Sequence, residues 1–159
     1  MIDLSHPANR GIVTYLKSRS TKGSQPQSNP AAIDDPYYTL GTHPEIVARL
    51  WDALGAPLPQ KCKWILYGMP VLAHPRTGVV FSFGGGSLTY AIRLPPAMRE
   101  TAIAAGALTR HDYPAYPELG VPASSLDLVT LGDGWIFGNW LPGEKEWCVS
   151  AFEHAGQAS

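Results

Sequence analysis

Residues 63–94 read KWILYGMPVLAHPRTGVVFSFGGGSLTYAIRL, and the fold turns on this stretch. Apolar residues recur with a period of two in three runs: Trp64 to Met69 with Val71 to Leu72, then Val79 to Phe83, then Leu88 to Leu94. Between them stand His74-Pro75-Arg76-Thr77-Gly78 and Gly84-Gly85-Gly86-Ser87, glycine-bearing turns that let an extended chain reverse. The spacing predicts three antiparallel strands in a meander. Alternation assigns Phe81, Phe83, Tyr90 and Ile92 to the inward face, and Ser82, Thr89, Ala91 and Arg93 to an opposite, semi-polar face.

The flanks read as helices. Thr42-His43-Pro44-Glu45 has the form of a capping box with proline in the first turn, with Thr42 as the cap. Ile46, Val47, Leu50, Trp51 and Leu54 then fall on one stripe that must face a sheet, and Gly55 with Pro57 ends the helix. After Pro95-Pro96, the segment Ala97 to Ala105 predicts a short alanine-rich helix stopped by Gly106. Leu108 to Ser125, with three prolines, reads as a long ordered loop. Leu126 to Leu131, Gly132-Asp133-Gly134 and Trp135 to Trp140 carry a second hairpin signal. A final helix near Glu144 to Ala155 places Trp147, Ala151 and Ala155 on one stripe with Phe152 beside it. The predicted class is α+β: an antiparallel meander sheet packed on one face by helices, with a second C-terminal hairpin and a final helix.

At 159 residues the chain can bury about two-thirds of its unfolded surface in one core. Residues 18–31 are polar with two prolines and no periodicity, so residues 1–41 read as a polar N-terminal arm, partly ordered at most, and 42–159 as a single α+β domain. Within the arm, Ile12, Val13, Tyr15 and Leu16 supply a short element able to dock on the body. Charged residues make up only 16%, and 12 Lys+Arg against 13 Asp+Glu give a net charge of −1. That balance supplies no field for nucleic acid or an anionic membrane. Neither a leader-like segment nor a membrane-spanning run is visible, so a soluble cytoplasmic location is expected.

Candidate chemistry is sparse. The Gly84-Gly85-Gly86 run lacks the strand-to-helix context of a phosphate loop and reads as a turn. The histidines at 6, 43, 74, 111 and 154 and the cysteines Cys62 and Cys148 match no metal-ligand spacing, so no metal, cofactor or catalytic residue is assigned. Both cysteines read as buried reduced thiols, and a nucleophilic Cys148 served by His111 or His154 is the enzymatic alternative. Asp34-Asp35 reads as a solvated turn in preference to a cation site. Candidate binding residues are Arg93 on the semi-polar face, able to hold a carboxylate or phosphate, Arg76 near the end of the same elements, and His111 in the long loop. Trp135 and Trp140 join them, because alternation along Trp135 to Trp140 leaves a large ring for an interface.

The order of elements resembles the small α+β domains of the TfoX amino-terminal and YjbR-like group over about residues 42–155. The residues that carry it are Tyr67-Gly68-Met69-Pro70-Val71, Gly78-Val79-Val80-Phe81-Ser82-Phe83, Tyr90-Ala91-Ile92-Arg93-Leu94-Pro95, Gly106, and Trp147 with Ala151 and Ala155. The resemblance implies a non-enzymatic role in regulation or in DNA binding through the sheet. This chain departs from it in lacking a basic surface and in adding the arm and a Trp-rich hairpin. By analogy of fold and size, it also looks like a bacterial antitoxin or immunity protein that covers a partner's active site. The expectation is therefore a protein-binding module, a regulator or antitoxin/immunity-like inhibitor. It would use the sheet face, the 108–125 loop and an exposed aromatic, with the cysteine enzyme and a nucleic-acid-binding regulator as alternatives.

Overall fold

In the computed structural model, Tyr67 and Gly68 both have positive φ, 48° and 82°, and form a two-residue turn that pairs Leu66 with Met69. The turn divides what the sequence presents as one apolar run into two strands, because two successive left-handed residues reverse the chain with the twist a hairpin needs. The structure describes residues 1–19, 25–40, 42–84, 89–110 and 130–158. Among the described residues six strands follow in chain order: β1 (Gln27–Ser28), β2 (Lys63–Leu66), β3 (Met69–Ala73), β4 (Val80–Gly84), β5 (Tyr90–Arg93) and β6 (Trp135–Gly138). All neighbours are antiparallel and the spatial order equals the sequence order, a meander with no crossover. The α+β class and the final helix stand as predicted. The last strand differs: Trp135–Gly138 pairs with β5, whereas Thr130 and Leu131 are helical and 126–129 lie outside the described residues.

A register shift between Leu72 and Ala73 changes the assignment of faces. Leu72 opposes Ser82, but Ala73 opposes Val80, so β4 carries a bulge at Phe81 and Ser82. Phe81 lies with Tyr90 and Ile92 in one apolar cluster, while Phe83 lies with Ala91, Val71 and Val80 in another on the opposite face. The predicted pairing of Phe81 with Phe83 is therefore overturned by the one residue that the bulge inserts.

The first cluster packs the sheet against three helices. α3 (Pro44–Ala48), prolonged by a π-helical turn from Arg49 to Leu54, contributes Val47, Leu50, Trp51 and Leu54, as its stripe predicts. Trp51 Nε1 donates to the Val71 carbonyl at 3.1 Å. The cap is His43, whose ring nitrogen accepts from the Glu45 amide at 3.1 Å, and not Thr42. Thr42 is buried instead, its hydroxyl donating to the Gly84 carbonyl at 2.9 Å. α4 (Pro96–Ala104) and α5 (Glu144–Gly156) complete this layer through Ala102, Trp147, Cys148, Ala151 and Ala155.

The other face is not semi-polar. α1 (Arg10–Arg19) lays Ile12, Tyr15 and Leu16 on Leu66, Val71, Phe83 and Trp135, and Ile2 is buried with them. The segment read as an arm thus supplies one layer of the body and, through β1, an edge strand. Asn9 fastens it. Its amide nitrogen donates to the carbonyls of Asp3 and Gly78 at 2.7 and 2.9 Å, and its oxygen accepts from the Val80 amide at 2.9 Å. Gly78 accommodates this approach, since a Cβ there would stand 2.6 Å from the Asp3 nitrogen.

Candidate functional site

Of the residues singled out from the sequence, Arg93 and Arg76 fall at one end of α5, a helix about 20 Å long, and Trp140 near the other. Arg93, half-buried, lies at the C-terminal end, where its guanidinium donates to the Ala8 carbonyl at 2.8 Å. Burial holds its pKa below the ordinary value. Arg76 is exposed, and its guanidinium bonds the Gly156 carbonyl at the same helix end. Trp135 pairs in register with Arg93 but is buried, its ring 5.1 Å from that of Phe83 at 68°. It is core and not interface. His111 lies outside the described residues, as do residues 112–125 of the long loop.

Trp140 is different. It is 70% exposed and sits on the left-handed side of backbone space with φ 58°, a conformation that costs a bulky residue about 1–2 kcal/mol. Its ring lies on the Arg49 guanidinium, 3.8 Å from ring centroid to carbon. Arg49 opens the π-helical turn, a local irregularity that recurs at functional sites. Behind it the Arg49 guanidinium pairs with Glu144, the first residue of α5, whose side chain is only 2% exposed. The Tyr90 hydroxyl donates to the same carboxylate, and so does the Leu141 amide at 2.9 Å. Burial raises the Tyr90 pKa, keeping the phenol protonated and therefore a donor.

This Arg49, Glu144 and Tyr90 group was not legible in the sequence. Arg49 is on the polar side of its helical stripe, Tyr90 reads as a core aromatic, and Glu144 reads as an ordinary first-turn acid. Among the described residues, two buried polar atoms, Arg49 Nε and Oδ1 of Asn139, which precedes Trp140 in the chain, have no hydrogen-bond partner. Backbone strain, a π turn and unsatisfied polar atoms thus coincide beneath one exposed tryptophan, a combination that a purely structural corner would not need.

The cysteine alternative loses its nucleophile. Cys148 is fully buried in the first cluster and burial pushes its thiol up to about 12. Cys62, also buried and unpaired, is pushed up to about 11 by the same cause. A thiol protonated at neutral pH and closed to solvent is a weak nucleophile. His154 is exposed, and among the described residues no group of three or more His, Cys, Asp or Glu is placed to hold a metal. No helix among the described residues is long and apolar enough to cross a membrane. No protein-family model, curated protein or solved structure matches the chain.

Proposed function

We propose that this chain is a protein-binding module, a regulator or antitoxin/immunity-like inhibitor, whose contact centres on Trp140 and Arg49. The observation that carries the reading is the exposed, strained Trp140 ring lying on a guanidinium that a buried carboxylate holds in place. Tryptophan and arginine are the residue types that most often dominate binding energy, and rings held before contact lose little entropy on binding. Tyr38, 73% exposed, stands on α2 (Pro36–Thr39), which packs against α3, so a second exposed aromatic borders the element that carries Arg49. Of what the TfoX amino-terminal and YjbR-like resemblance implies, the non-enzymatic regulatory role is compatible with this reading, and DNA binding through the sheet is not. The predicted sheet-face contact is withdrawn, because α1 covers that face.

The test is Trp140→Gly, compared with the wild type in co-purification from the native host. Glycine relieves the positive φ, so the thermal midpoint should stay within a few degrees while the partner is lost. Retention of the same partner by a folded Trp140→Gly protein would remove the assignment.

A further inference from the structure

The opposite end of α5 carries a second feature that the protein-binding reading does not use. A cavity of about 260 Å³ opens between the residues before α1, strand β4 and the last turn of α5. Its walls include Ala8, Val79, Phe81, Ala151 and Ala155, and its polar groups are Arg93 with His154 and Gln157, both exposed at the rim. The volume equals about eight or nine water molecules at liquid density.

The electrostatics of this cavity are unbalanced. Arg93 gives one hydrogen bond to a neutral carbonyl, and among the described residues no carboxylate forms an ion pair with it. Partial desolvation lowers its pKa, as expected of a half-buried guanidinium without a counter-ion. Such a group is costly unless an anion reaches it. The carbonyl end of α5, which would repel an anion, is already occupied: Arg76 bonds the Gly156 carbonyl, and the Thr77 hydroxyl bonds the Ala155 carbonyl at 3.0 Å.

We propose that this cavity binds a small monocarboxylic acid, with the carboxylate on Arg93 and a short aliphatic or aromatic body against Val79, Phe81 and Ala151. The planar guanidinium matches a carboxylate in two-point contact. The apolar walls favour a single negative charge with a hydrocarbon tail over inorganic phosphate, whose further charge and oxygens would find no partners there.

Calorimetric titration of the full chain with benzoate and with hexanoate tests this, using benzamide, hexanamide and inorganic phosphate as comparisons. At least one carboxylate should bind saturably with one site per chain, and its amide at least about tenfold more weakly. Arg93→Met keeps the apolar stem and should weaken binding by at least about tenfold. Because Arg93 also holds the Ala8 carbonyl, Ala8→Leu provides an independent arm, narrowing the cavity from a half-buried position, and should weaken binding in a folded protein. No saturation by either carboxylate at millimolar concentration would overturn the proposal. So would equal affinity for acid and amide, preference for phosphate, or wild-type binding by folded Ala8→Leu.

Discussion

Replacing Glu144 with glutamine isolates the charge that organises the Trp140 corner. Glutamine keeps an oxygen to accept from Tyr90 and Leu141 but leaves Arg49, whose side chain is 11% exposed, without its anion. Removing one partner of a buried ion pair costs about 3–5 kcal/mol, because the remaining charge stays desolvated. For a chain of this size each kcal/mol lowers the melting midpoint by about 2–4 °C, so the expected fall is roughly 6–20 °C. Urea unfolding followed by circular dichroism should show the midpoint moving with an unchanged slope. Adding Arg49→Met to the Glu144→Gln protein removes the orphaned cation and should recover most of the loss, whereas independent sites would simply add. A cost below about 1 kcal/mol, or no recovery in the double variant, would refute the claim that this pair is a buried, coupled unit.

Two further perturbations test the packing on either side of the sheet. Burial pushes the thiols of Cys62 and Cys148 up from an ordinary 9.0 to about 11 and about 12. Their raised values therefore contribute stability in full below about pH 9, and it drains away as pH climbs through the folded values. Thermal midpoints should be flat to about pH 8 and then decline, with neither thiol reacting with Ellman's reagent in the native protein; rapid native labelling would contradict the burial. Asn9→Ala leaves the buried Val80 amide without its acceptor, at about 1–3 kcal/mol, while the Gly78 carbonyl keeps the Asp3 amide at 3.0 Å. A change in urea-derived stability within about 0.5 kcal/mol would mean that the N-terminal segment is not fastened as described.

Much of the fold was legible in advance because its signals are local. The stripe Ile46, Val47, Leu50, Trp51 and Leu54, the alternation through Val79 to Leu94 and the helix at Glu144 each follow from periodicity over a few residues, and each side chain of that stripe is buried. The Tyr67-Gly68 turn was missed because a tyrosine in left-handed conformation is not a turn signal by residue type. Thr42 was assigned to a cap by its spacing, but the Gly84 carbonyl, 42 residues away, offered its hydroxyl a buried acceptor. Polar residues 18–31 made the whole N-terminal segment look like an arm, although only Ile2, Ile12, Tyr15 and Leu16 were needed to cover a sheet face.

By itself, then, the sequence determined an α+β chain with a meander of strands and a terminal helix, since hydrophobic period and turn chemistry act between near neighbours. Tertiary structure alone decided which face each strand shows, through a single bulged residue at Phe81, and that both faces are covered. It alone joined Arg49, Tyr90 and Glu144, residues separated by 41 and 54 positions along the chain, and left Arg93 without a carboxylate among the described residues. Charge pairing depends on distance in space after burial has removed the solvent, and no local pattern in a chain encodes that distance.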